Sequence, residues 1–153
     1  MAVAAGSEHD DPLLLDRQVC FPLYAATNLL NRLYGPVLRP LGLTYPQYLV
    51  MLVLWEQEPQ TVGALGARLH LDSGTLTPLL KRMEAAGHVT RTRDPADERR
   101  VIIGLTPQGR ALREAALHVP ATIAGGRTSD DIEELRSSVQ RLVVMLAGRD
   151  SHG

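Results

Sequence analysis

Cys20 is the only cysteine in the chain. A single thiol cannot close an internal disulfide or build a cysteine-rich metal site unaided, so its chemistry is that of a lone sulfur. A lone cysteine is ordinarily a small hydrophobe of the core. Two tyrosines give this one a more specific setting. Tyr24 follows Cys20 by four positions, one helical turn, so the two can share a face. Tyr34 follows it by 14 positions, which is about 21 Å along a straight helix at ~1.5 Å per residue. Within one unbroken helix that pair cannot touch. Either the helix bends, or a second copy supplies Tyr34. Two such helices crossing antiparallel would set each Cys20 against the other copy's Tyr34, with a two-fold axis near Thr27.

A second set of residues is suited to a polyanion. Ser73, Thr75 and Thr77, beside Pro78, place hydroxyls near an expected helix N-terminus, and Lys81 and Arg82 follow on the same segment. Taken singly, such residues are ordinary caps and solvated charge. Asp97 and Arg99 lie two apart, so on an extended segment they point to one side and the carboxylate can brace the guanidinium. A braced arginine at a wing tip suits the minor groove. The net charge of −1 conceals an uneven distribution: residues 60–113 carry nine Lys+Arg against five acids, leaving the remainder at −5. A basic centre between acidic ends suits a local polyanion-facing surface.

The elements that must position these residues follow from spacing and punctuation. Residues 1–12 read as a disordered tail without a secretory signal, and residues 148–153 as a second tail. Residues 13–43 are expected to be a dimerisation and sensor helix from Leu13 to Leu38, with a possible kink at Pro22, closed by Gly35, Pro36 and Pro40. Residues 44–110 contain the DNA-binding domain. Thr44 caps a buried helix with Pro46 in its first turn, and its Trp55 is core rather than a ligand site. A short helix over Thr61–Leu69 precedes a turn and then a helix ending at Gly87. That helix is expected to start near Thr75, because a start at Asp72 would place Pro78 inside it. His88–Arg93 and Arg99–Leu105 flank the turn Asp94-Pro95-Ala96-Asp97 as a hairpin. Thr106 caps a further helix with Pro107 at its first position, Gly125-Gly126 ends it, and a last helix starts near Ser129 with Asp130 and Asp131 at its positive end. Residues 111–147 are expected to dimerise, because Leu135, Val139, Leu142, Val143 and Leu146 form a stripe too far along to cover the central core. The order is that of a mainly α winged helix-turn-helix with a small β-hairpin wing between dimerisation helices.

On Leu71-Asp72-Ser73-Gly74-Thr75-Leu76-Thr77-Pro78, Asp97-Glu98-Arg99 and Leu105-Thr106-Pro107-Gln108-Gly109, the chain resembles the MarR family of regulators over roughly residues 13 to 147. Within it, Cys20-Phe21-Pro22-Leu23-Tyr24-Ala25, Tyr34 and Tyr45-Pro46-Gln47-Tyr48 resemble the organic-hydroperoxide-sensing OhrR branch, one-cysteine type. The resemblance implies that Cys20 is the redox sensor and that Tyr24 and Tyr34 hydrogen-bond it. A phenolic O–H aimed at sulfur favours the thiolate, and Phe21, Leu23 and Tyr45 would admit an apolar peroxide.

The expected protein is therefore a cytoplasmic, homodimeric repressor without a cofactor or membrane span. Its expected partners are pseudo-palindromic double-stranded operator DNA, an organic hydroperoxide and, after oxidation, a small-molecule thiol. None of the five histidines has metal-ligand spacing, so no metal site is expected. Two alternatives stand beside it: a MarR-type repressor that answers a non-covalent aromatic or drug-like ligand, and a thiol peroxidase.

Overall fold

The computed structural model describes residues 11–150; the tail residues 1–10 and 151–153 lie outside that range. A 3-10 turn, Leu15–Arg17, leads into α1 (Cys20–Leu38), and a second, Arg39–Leu41, leads towards α2 (Tyr45–Glu56). There follow β1 (Gln60–Thr61), α3 (Val62–Leu69), α4 (Ser73–Ala85), β2 (Val89–Asp94), β3 (Asp97–Leu105), α5 (Pro107–Ala116), α6 (Val119–Ala124) and α7 (Ser129–Asp150). The fold is mainly helical, with a three-stranded antiparallel sheet in the order β1-β3-β2.

Several boundaries are written in local chemistry. Thr44 and Gln47 form a reciprocal capping box at the start of α2, which satisfies two otherwise orphaned N–H groups. Thr61 caps α3 through Ala64 N, and Thr106 caps α5 through Gly109 N with Pro107 at the first position. In the wing turn the Asp94 carboxylate accepts from Ala96 N at 2.9 Å.

Five expectations need correction. The sensor helix starts at Cys20 rather than Leu13. Pro22 thereby falls in its first turn, where a missing N–H costs no bond, and it introduces no kink. Upstream, the Gln18 side-chain amide donates to the carbonyls of Pro12 and Leu14 and holds the 3-10 turn apart from α1. At its other end α1 reaches Leu38 as expected, running through Gly35 and Pro36. Gly35 has no Cβ to meet the ring of Pro36, so the usual clash before proline is absent. The fourth helix starts at Ser73, not Thr75, because Asp72 is the cap and accepts from Thr75 N at 2.7 Å. Pro78 lies inside it, and the Gly74 carbonyl that loses a partner belongs to an exposed residue, open to water. The segment after Thr106 is two helices, with Pro120 in the first turn of the second. Finally, α7 continues through residues 148–150, beyond the expected tail boundary.

The core sits between α2, α3, α4 and the sheet, where Val50, Met51, Leu65, Leu76, Leu80, Met83 and Ile103 are fully enclosed. Each such side chain contributes about 1.5–3 kcal/mol by leaving water. Trp55 joins this structure as expected of a packing residue: its indole N–H donates to Gly109 O at 2.9 Å. By contrast α1 buries only Leu38, and α7 buries nothing. Leu29, Leu30 and Leu33 on α1, and Leu135, Val144, Met145 and Leu146 on α7, are exposed in the single chain. Among the described residues no single helix is long and apolar enough to cross a membrane.

Candidate nucleic-acid interface and thiol site

Four buried residues, Leu76, Leu79, Leu80 and Met83, fix which face of α4 meets the core. Ser73, Thr75, Pro78, Lys81 and Arg82 are consequently exposed, with Thr77 half-buried at the edge. Neither Lys81 nor Arg82 enters an ion pair among the described residues. The capping carboxylate of Asp72 is held below the usual carboxylate range by the Thr75 N–H, so it remains a charged acceptor at the head of the helix.

The wing presents the expected brace. Arg99 donates from Nε to Asp97 Oδ1 at 3.0 Å and from Nη2 to Oδ2 at 3.1 Å, while its backbone N–H also reaches Oδ1 at 3.1 Å. This fork lowers the Asp97 carboxyl and raises the Arg99 guanidinium, so both stay charged. The guanidinium is nevertheless 90% exposed: it is oriented without being covered. Arg93 Nη1 donates to Glu98 O at 2.8 Å across the hairpin, and Arg91 reaches Glu84 of α4 at 3.4 Å. Between α4 and the wing runs a cleft of about 480 Å³, lined by Gly63, Ala64, Ser73, Thr77, Arg99 and Arg100. Hydroxyls and guanidinium groups share one continuous concavity.

Two features of this surface were not legible beforehand. The strand β1 pairs Gln60 with Ile103 and Thr61 with Ile102, tying the start of α3 to the wing. Glu58 pins the base of the wing, accepting from Leu105 N and Arg110 Nε at 2.5 Å each. Burial alone would raise its carboxyl, but the hydrogen bonds from Arg110 and Leu105 outweigh that and hold it low. The Glu58 to Arg110 separation of 52 positions left no local signal.

The thiol site is divided. Cys20 is exposed at the first residue of α1, with Phe21 and Tyr24 exposed beside it. Tyr34 stands 14 residues further along the same uninterrupted helix, half-buried, at about 21 Å by helical rise. Of the two arrangements open from spacing, a bent helix is therefore not the one found. Tyr34 instead packs on Tyr45, ring centroids 4.6 Å apart, and on Tyr48 at 6.0 Å. Tyr48 is not among the site residues expected from the sequence, although its spacing of three from Tyr45 on a helix puts both on one side. Burial first, and then the neighbouring phenols, pushes Tyr34 up; burial pushes Tyr45 up, and burial followed by Tyr45 pushes Tyr48 up. All three thus remain protonated hydroxyl donors at neutral pH.

Residues 32–115 match the family model described as transcriptional regulator SarA/Rot. The chain is 50% identical over 144 residues to the HTH-type transcriptional regulator TtmR of Methylorubrum extorquens (strain PA1), covering 94% of this chain and 73% of that protein. It is 46% identical over 138 residues to the organic hydroperoxide resistance transcriptional regulator of Bacillus subtilis (strain 168), covering 89% and 94%. Among solved structures, reduced AbfR bound to DNA superposes with a TM-score of 0.74 at 38% identity, covering 87% of this chain and 94% of that one. This chain belongs to the MarR family of winged-helix transcriptional regulators, and within it to the organic-hydroperoxide regulators.

Proposed function

We propose that this protein is a homodimeric DNA-binding repressor that senses organic hydroperoxides by oxidation of Cys20 and then releases its operator. The observation that carries the sensor assignment is the division of the thiol site along one unbroken helix. Cys20 and the Tyr34, Tyr45 and Tyr48 cluster can meet only if two copies of α1 cross antiparallel. The exposed apolar rows of α1 and α7 give such a dimer surface to bury.

In this assembly the partner's Tyr34 and Tyr45 donate to the Cys20 thiolate, while Phe21 and Tyr24 come from the cysteine's own chain. The thiolate attacks the terminal oxygen of a hydroperoxide; an S–O bond forms, the O–O bond breaks, and the leaving alkoxide takes a proton to become the alcohol. The sulfur is oxidised to a sulfenic acid by two electrons. With no second cysteine in the chain, the sulfenic acid proceeds to a mixed disulfide with a small thiol or to higher oxides. The bulk of an adduct cannot fit a close-packed crossing, so the subunits reorient and carry the two α4 helices out of register with half-sites about 10 base pairs apart. On DNA, α4 enters the major groove through Ser73, Thr75, Thr77, Pro78, Lys81 and Arg82, and the Asp97-braced Arg99 enters the minor groove.

Intact-mass analysis of peroxide-treated protein, run alongside operator binding by wild type and Cys20→Ser, tests this directly. Oxidation confined to Cys20, with release of DNA only by wild type, is expected. Release by the Cys20→Ser variant, or induction that survives thiol blocking, would favour a non-covalent ligand; peroxide turnover without DNA would favour a peroxidase.

A further inference from the structure

A cleft of about 560 Å³ opens between the C-terminal half of α1 and the start of α2. Asn31 and Gly35 line it from successive turns of α1 and Arg39 from the 3-10 turn that follows, together with Leu43, Tyr45 and Pro46. Its size is that of a small-molecule site. Gly35 borders open space, where a Cβ would meet nothing within 4 Å. Arg39 is exposed and enters no ion pair among the described residues. Tyr45 is shared: it lines the cleft and packs on Tyr34 with centroids 4.6 Å apart.

We infer that this cleft binds the body of the inducing peroxide and that Arg39 selects peroxides carrying a carboxylate. The inference rests on the sensor arrangement above, in which the partner's sulfur arrives at Tyr34 and Tyr45. A largely apolar lining that also carries one guanidinium without an ion pair among the described residues fits an aliphatic chain ending in a carboxylate. The hydroperoxide group then lies at the tyrosine end, where the thiolate takes its terminal oxygen and the alcohol is left in the cleft. A carboxylate-bearing thiol that later reduces the sulfenic acid would offer Arg39 the same charge; the peroxide is the occupant proposed, because the apolar lining suits a chain.

The test compares the rate of Cys20 oxidation by a medium-chain carboxylic-acid hydroperoxide with that by its methyl ester, in wild type, Arg39→Gln and Arg39→Lys. Wild type should prefer the acid by about tenfold or more, a value set by one charge-assisted hydrogen bond. Arg39→Gln should lose the preference while reacting with the ester at the wild-type rate, and Arg39→Lys should keep part of it. Equal rates for acid and ester in wild type, or an acid preference that survives in Arg39→Gln, overturns the inference and leaves the sensor reading standing. An acid effect confined to reduction of the sulfenic acid by an anionic thiol overturns it in favour of a thiol site. If neither peroxide oxidises Cys20, the sensor reading falls and this inference with it.

Discussion

Tyr34 packs on Tyr45 with ring centroids 4.6 Å apart, four helical turns from the Cys20 that begins the same helix. In the proposed sensor, a sulfur at one end of α1 and a set of protonated phenols at the other form a site that a single chain cannot complete.

The first consequence is kinetic. Tyr34→Phe and Tyr45→Phe should fold and bind DNA but oxidise about tenfold more slowly with an organic peroxide, since each removes one hydrogen bond to a charged sulfur. Tyr24→Phe, on the cysteine's own helix, should show a similar effect. Stopped-flow rates matching wild type in all three would make the tyrosines packing residues only.

On the wing, Arg99→Ala should weaken operator binding and reduce the salt slope by about one. Its side chain is 90% exposed, so the melting temperature should not move. Asp97→Ala frees the same guanidinium without removing it and should give a milder version. A salt titration unchanged by Arg99→Ala would remove the wing from the interface.

Glu58→Gln tests the anchor beneath the wing. The folded carboxyl lies below its ordinary value of 4.5, so its stabilisation is complete above that value and is lost as pH falls through the folded one. At neutral pH the variant should melt roughly 2–6 °C lower, for a loss of about 1–2 kcal/mol. The gap from wild type should close as the buffer is taken below about pH 4. A gap that stays constant with pH would mean the loss is not one of charge.

Gly109→Ala tests a close approach. A Cβ there would run into the His88 carbonyl oxygen, and the backbone on both sides is fixed, by Trp55 on Gly109 O and by Thr106 on His88 O. Destabilisation of about 3 kcal/mol or more is expected, seen as an early unfolding transition in denaturant. A neutral substitution would show that the α5 start is free to shift.

Much of this was legible because it is local. Thr44 with Gln47 and Thr106 with Gly109 each satisfy backbone within three residues, and their helices begin where those residues say; in the wing the turn is tighter than expected, with β2 running to Asp94 and β3 starting at Asp97 rather than Arg99, because the Asp94 carboxylate holds Ala96 N and the two aspartates pair. Proline misled where the cost of a lost bond fell on solvent. Pro78 argues from sequence against a start at Asp72, yet the Gly74 carbonyl it leaves bare belongs to an exposed residue, and Asp72 is the stronger start signal. The same logic, applied to Pro22, would have moved the start of α1 to Cys20. The strand β1 is two residues long and the Glu58 to Arg110 pair spans 52 positions, so neither has a periodicity to read. The thiol site was half legible: spacing excluded contact within a straight helix, but only the fold showed that helix unbroken and placed Tyr48 with its neighbours.

The fate of the oxidised sulfur gives another test. Peroxide alone should yield a sulfenic acid that proceeds to higher oxides, and peroxide with a small thiol a mixed disulfide reversed by reductant. With each Cys20 at the far end of the crossing from the other, their Cα atoms cannot come within the ~7 Å a disulfide needs. A covalent dimer as the main product on a non-reducing gel would refute that crossing.

The most direct measurement uses mixed dimers that hold a single Cys20. In one, a Cys20→Ser chain pairs with a Tyr34→Phe chain, so the remaining thiol can reach an intact Tyr34 only across the interface. In the other, a wild-type chain pairs with a chain carrying both substitutions, so its thiol faces Phe at position 34 of the partner. Oxidation by an organic peroxide, and the DNA release that follows, should run at the wild-type rate in the first dimer and about tenfold slower in the second. The reverse order of rates would place Tyr34 beside the cysteine of its own chain and contradict the shared site.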